Sequence, residues 1–436
     1  MVLHVTPTAI EETAAEPRRT AWGWVILMAL ILFLAGSIRL ALTPLQQAAQ
    51  VDIGFSDTEI ATLKGLANGL PGFVLAIPLG IAIDHYNRQR LMVFLGLCWA
   101  AGALMTPFSH SFVTLFIARA LVALGVGSAF GVAASLISDW CAPQKRGRAM
   151  IIIGIGVLAG PAFAFAGGGA MYGYFTLHGW SLFPGMVPWR LTTLVFAVIS
   201  VALLLPVLFL REPQRHERTE HGNAIIPAIR GLLMRWRFVV PLWLGATAGG
   251  LAEGGAGLWA APLLERNYGL TPDKYGAMMG IIILAGGFFG SLCGGIAADW
   301  SQKSNRRGRI MLGAVLATIV TIPMAVYPIM PTPGSFGLVL FLLMLFVTLT
   351  QVIGTTAITV LIPNEERGVC LALTSMASTL IGFGFAPLVP VLAPIVFGDT
   401  KHLADMLAIV GVVTGIIALA GYIVAMRTAP ASYRHA

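Results

Sequence analysis

From residue 21 to residue 426, long apolar stretches alternate with short polar breaks. A helix that crosses a bilayer needs roughly 20 predominantly apolar residues. Twelve stretches qualify, and they predict helices over 21–45, 57–83, 89–107, 111–138, 149–175, 191–210, 238–262, 275–298, 309–329, 335–362, 368–397 and 404–426. These are spans 1 to 12. The one long polar break inside the chain, REPQRHERTEHGNAIIPAIRGLLMRWR at 211–237, leaves six spans on each side. The pattern predicts an all-α integral membrane protein. It has a tail at 1–20, a six-helix bundle at 21–210, a central loop at 211–237, a second bundle at 238–426 and a tail at 427–436. The first 20 residues are polar, with Glu11, Glu12, Glu16, Arg18 and Arg19, so no cleavable signal peptide is expected.

Composition narrows the class further. Hydrophobic residues make up 57% of the chain and charged ones only 11%, against about a quarter charged in soluble proteins. Too little charge remains to cover a water-soluble surface, which excludes a soluble domain, a disordered chain and a nucleic-acid binder. The net charge of +8 comes in bursts. Alternate loops carry Arg88 and Arg90, Lys145, Arg146 and Arg148, the arginines of the central loop, and Lys303, Arg306, Arg307 and Arg309. The opposite loops carry only Arg190, Arg266, Lys274 and Lys401. That bias places both termini and the central loop in the cytoplasm. A bacterial inner membrane is the expected location, and a functional monomer the expected state. Cys98, Cys141, Cys293 and Cys370 have no ligand spacing, so neither a disulfide framework nor a metal site is expected.

The two halves repeat. After span 2 the chain reads Gly80-Ile-Ala-Ile-Asp84-His-Tyr-Asn-Arg88-Gln-Arg90, and after span 8 Gly295-Ile-Ala-Ala-Asp299. After span 4 comes Pro143-Gln-Lys-Arg146-Gly147, and after span 10 Pro363-Asn-Glu-Glu-Arg367-Gly368. The first pair is offset by 215 residues and the second by 221, about half the chain in each case. This is a duplication with parallel topology. The G-x-x-x-D-x-x-x-R-x-R element and its degenerate copy make the chain resemble a major facilitator superfamily transporter over essentially its whole length. IPLGIAIDHYNRQR, ASLISDWCAPQKRGRAM and WRLTTLVFAVISVALLLPVLFLREPQR are similar to spinster-like and organic-anion branches. Spinster-like proteins place an acid in span 4, whereas the run after Arg119 here is Ala-Leu-Val-Ala-Leu-Gly-Val-Gly-Ser.

The resemblance implies alternating access without ATP, and a cavity lined by spans 1, 4, 7 and 10. It also implies that Asp84 faces the start of span 11. Gly80, Asp84, Arg88, Arg146 and Asp299 are then candidates for a cytoplasmic gate. Glycine would allow close helix approach, and the carboxylates would cap a helix start. Arg146 and Arg367 read equally well as orientation charges.

Ionisable groups inside spans are expensive and point to function by default. Arg39 interrupts span 1, Arg119 span 4 and Glu253 span 7. At about 1.5 Å per residue, Arg39 lies roughly 27 Å and Glu253 roughly 22 Å from the cytoplasmic start of its helix, and Arg119 roughly 12 Å below the outer surface. The arginines are candidate ligands for an anionic substrate, since a guanidinium is always charged and matches a carboxylate. Glu253, a carboxyl held away from water, is the candidate proton carrier. Arg39 and Glu253 are expected to meet in the cavity, though a structural bridge between them, or snorkelling of Arg39, reads the same residues. Lys64, near the outer end of span 2, has a plain surface reading. Thr348, Gln351, Thr355 and Thr359 share one face of span 10, and Gln351 and Thr355 are candidate substrate contacts. Trp259, Tyr172 and Tyr174 rank below the charges. Span 5 carries Gly156-x-x-x-Gly160-Pro161 and Gly167-Gly168-Gly169, which resembles a motif of efflux antiporters.

No G-x-x-x-x-G-K-[ST] loop and no HExxH motif is present, which argues against nucleotide drive and against a metalloprotease. No enzyme activity and no cofactor is expected, only an ion gradient. The leading expectation is proton-coupled uptake of a small organic anion. The alternative is proton-driven export of an amphipathic, lipid-like or drug-like molecule.

Overall fold

The computed structural model describes residues 21–210, 212–213, 225–302, 308–384, 388–398 and 402–430. Among them, nine helices are long and apolar enough to cross a membrane. Spans 2, 7 and 11 fill the remaining positions. Span 2 is broken by a π turn at Leu63–Ala67, span 7 (Trp236–Tyr268) is rich in glycine and holds Glu253, and span 11 runs as Asn364–Gly384 and Leu388–Phe397.

The duplication is visible in local structure. Span 4 is the helix Phe112–Trp140 and span 10 the helix Pro333–Leu361, 29 residues each. Each begins in a reciprocal hydroxyl cap, Ser111 with Thr114 and Thr332 with Ser335, which satisfies free N–H groups of the first turn. A single turn of 3-10 helix precedes each, at Thr106–Phe108 and Tyr327–Ile329. All these positions differ by 221, the offset that relates Arg146 to Arg367.

Two departures from the apolar pattern matter for the site. Span 1 is not one helix to residue 45. It ends at Leu40, turns through residues 41–45 and resumes as Gln46–Ile53. Pro44 has no N–H to give and restricts the residue before it, so the helix breaks there. The central loop also ends in a helix, Ile225–Met234, which joins span 7 at Arg235. It packs on the start of span 11, where Glu366 takes two bonds of 2.7 Å from Arg235.

Three cores organise the molecule. One draws only on residues 25–210 and another only on 232–429. The third is built from both halves, with Leu42, Leu45 and Phe55 against Leu258, Trp259 and Tyr275. It lies at the end reached by the break in span 1 and the start of span 8. That end is called the far end, and the end where residues 21, 212 and 430 lie is the basic end. The halves are therefore sealed together at the far end, while each keeps its own core at the basic end.

Glycines set the closest approaches. In span 5 (Pro143–His178), a Cβ on Gly156 or Gly160 would collide with the carbonyls of Ala29 and Phe33 of span 1. Gly169 sits against the Pro272 carbonyl of span 8, and a Cβ on Gly276 of span 8 would stand 2.5 Å from the Phe165 oxygen of span 5. The first pair packs within one half, and the second joins the two halves.

Candidate functional site

The break in span 1 creates the upper part of the site. With the helix ended at Leu40, the backbone tightens: the Ala41 N–H reaches the Ile38 carbonyl at 3.3 Å and the Thr43 N–H turns back to Leu40. Arg119 of span 4, buried at 4% exposure, adds donors of its own: Nη1 reaches the Ile38 oxygen at 3.2 Å and Nη2 the Arg39 oxygen. Two of its five donors therefore hold the backbone of span 1. Arg39 itself is half-buried and lies within electrostatic range of Arg119.

A third cation joins them. Lys64 is carried by the π turn of span 2, an arrangement frequent at functional positions. The turn frees the Lys64 carbonyl, which the Asn68 amide takes up at 3.0 Å. The sequence favoured a plain surface reading for Lys64. The structure corrects it: the side chain is buried, its Nζ donates to the Leu258 carbonyl of span 7 at 3.4 Å, and Arg119 and Glu265 are its electrostatic neighbours.

Glu253 lies on a lower storey. Leu258 is five residues, roughly 7 Å, further along the same helix. Gln351 of span 10 donates its amide N–H to Glu253 Oε2. Gln351 and Thr355 are both exposed although they sit midway along an apolar helix, and Thr355 donates its hydroxyl to the Gln351 carbonyl at 2.9 Å. Arg119 thus has both Arg39 and Lys64 as electrostatic neighbours, and Glu253 pairs with Gln351. Thr348 packs on Gly290 of span 8, Trp259 is fully buried in the shared core, and Tyr174 is exposed beside His178.

The expected cytoplasmic cluster is distributed differently from the expectation. Arg88, at the buried start of span 3, bonds Asp139 at 2.5 Å, Glu212 at 2.8 Å and the Ser135 carbonyl at 3.0 Å. All three partners belong to the first half, so these bonds brace one bundle and do not bridge two. The Asp84 side chain lies outside the described residues. Among the described residues, Gly80 meets nothing within 4 Å of an added Cβ, in keeping with the separate cores at this end. Arg146 is half-buried at the start of span 5, and Asp299 is exposed.

At the far end the bonds do cross between halves. Arg266 of span 7 forks onto Asp57 of span 2 at 2.6 and 2.7 Å and also reaches Gln47 and Gln50. Tyr275 of span 8 places its Oη 2.8 Å from the Pro44 carbonyl and 2.7 Å from Glu265 Oε1. The Arg266 and Asp57 side chains are 31% and 26% exposed, so this pair is worth little. Asp57→Asn is expected to cost under about 1 kcal/mol in thermal unfolding. A larger loss would show that solvent does not screen the pair.

The family model of the Major Facilitator Superfamily matches residues 25–387. The chain belongs to the Major Facilitator Superfamily. This major facilitator is a multi-pass membrane transporter and not an enzyme. Over 398 residues it is 24% identical to "Probable sulfoacetate transporter SauU" of Cupriavidus necator, covering 85% of each chain. Over 314 residues it is 24% identical to "Probable 4-methylmuconolactone transporter" of Cupriavidus pinatubonensis, covering 70% of this chain and 68% of that one. Its fold is similar to a crystal structure of a bacterial homologue of the human lysosomal transporter spinster, described as inward-facing and unoccupied. The TM-score is 0.77 at 20% identity, over 93% of this chain and 97% of the other.

Proposed function

We propose that this major facilitator takes up a small organic anion together with a proton. The observation that carries the reading is that buried Arg119 has both half-buried Arg39 and buried Lys64 as electrostatic neighbours. Glu265 is the carboxylate beside Lys64, and an anion visiting the three cations would add to it. A carboxylate or sulfonate suits the guanidinium donors that Arg119 does not give to span 1. Relatives named for sulfoacetate and for a muconolactone are consistent with substrates of that size and chemistry. Glu253 is the proton carrier in this reading, held in place by the Gln351 amide until the proton arrives. Thr355 and Gln351 complete the polar lining. The basic end faces the cytoplasm of a bacterial cell, so the present conformation is inward-facing. The glycines of span 5 have a packing explanation, against spans 1 and 8, and so lend export no weight.

The test is uptake of labelled sulfoacetate into proteoliposomes. Arg39→Ala is expected to raise the half-saturation concentration about 10- to 100-fold, the worth of a charged hydrogen bond. Glu253→Gln is expected to keep exchange of substrate across the membrane but to lose accumulation driven by a pH gradient. Unchanged transport in both variants, across a panel of carboxylates and sulfonates, would remove the assignment.

A further inference from the structure

The far end holds a group that the reading above does not use. Glu265 sits in the last turns of span 7, facing Tyr275 at the start of span 8. Tyr275 is fully buried, and its phenol oxygen touches two oxygens at once: the Pro44 carbonyl of the other half and Glu265 Oε1. A phenol has one hydrogen to give. A carbonyl can only accept. The bond that joins the halves therefore needs the Tyr275 hydrogen to point at Pro44. The 2.7 Å contact with Glu265 then needs a hydrogen of its own, and the carboxyl must bring it. If Glu265 is ionised, its charge draws the phenol hydrogen to itself, and the Pro44 oxygen faces a bare oxygen in a buried site.

From this hydrogen count we infer that Glu265 is a proton latch on the far gate: protonated, it lets Tyr275 bond Pro44 and hold the halves closed. Water on the far side supplies the proton to a carboxylate oxygen when the gate closes, and the same water takes it back when the gate reopens. Only O–H bonds form and break. The other groups facing the pair are Lys64 of span 2, Tyr172 of span 5, Asp273 of span 8 and Arg266 on Glu265's own helix. Lys64 is engaged with Leu258 and Arg266 with Asp57, so neither supplies the hydrogen that Pro44 requires. The latch goes beyond the substrate reading and does not depend on it, since it acts in the empty transporter.

The experiment measures the far gate directly. Cysteines replace Val51 and Lys274, on opposite halves, in a full-length chain without its four native cysteines, and spin-label distances are followed against pH in nanodiscs without substrate. In the parent the closed distance is expected to gain as pH falls and to be lost as pH rises, by up to about tenfold in the equilibrium constant per pH unit, the limit for one proton. Glu265→Gln carries a permanent N–H toward Tyr275 and is expected to stay closed with no pH dependence. Tyr275→Phe is expected to be equally flat but shifted open. A flat parent, or a Glu265→Gln chain that keeps the slope or opens, would overturn the latch. None of these outcomes bears on whether sulfoacetate binds.

Discussion

Arg88→Ala is expected to lower stability by about 3–5 kcal/mol, the cost of removing one partner of a buried ion pair. Arg88 is 2% exposed, and its guanidinium neutralises Asp139 from span 4 and Glu212 from the chain beyond span 6 while also holding the Ser135 carbonyl. One side chain thus ties three separate parts of the first half at the membrane edge. Removing it takes the Arg88 charge away from Asp139, whose side chain is 7% exposed, and from Glu212. The loss comes from charge and not from lost bulk, so Arg88→Lys, which keeps the charge but not the fork, is expected to recover only part of it. Thermal unfolding of the purified transporter in detergent reads the effect. A melting temperature within a degree of the parent would mean that water reaches the carboxylates and that the brace is superficial.

Much of this architecture could be read from the chain, for reasons tied to particular residues. Apolar length finds spans because lipid admits only helices that satisfy their own backbone. The 221-residue offset seen at Arg146 and Arg367 reappears in the caps at Ser111 and Thr332, because a duplicated helix keeps its start signals along with its length. Arg39, Arg119 and Glu253 stood out because charge inside a span is rare. What they touch was not legible. Arg119 meets carbonyls at the point where span 1 ends early, at Leu40, and hydropathy alone carries the apolar stretch past that point. The π turn that buries Lys64 leaves no periodic trace either, so Lys64 looked like a surface lysine. Glu265 escaped notice because it lies at a helix end, where a carboxylate is usually solvated. Its role depends on Tyr275 and on Pro44, which is more than 200 residues away in sequence.

The other large effect concerns the seal itself. Gly276→Leu is expected to disfavour the far-end closure by roughly 100-fold and to slow transport to a similar degree. Gly276 lies one turn into span 8, and an added Cβ there would stand 2.5 Å from the Phe165 carbonyl and 3.2 Å from Gly169 Cα, both on span 5. These neighbours are backbone atoms, which cannot rotate aside as a side chain could. Spans 5 and 8 belong to different halves, so the clash penalises closure without disturbing either bundle's own core. The variant should therefore insert and melt much like the parent while resting with its far end open. A cysteine at Ala49, fully buried in the shared core, reports the difference: its reaction with an impermeant maleimide applied from the far side should accelerate in the Gly276→Leu background. Gly276→Ala adds only the Cβ and should fall between the two. If Gly276→Leu transports at the parent rate with Ala49→Cys still shielded, the glycine contact between spans 5 and 8 yields easily and does not govern the gate. If it transports at the parent rate with the cysteine exposed, closure at this end is not part of the transport cycle.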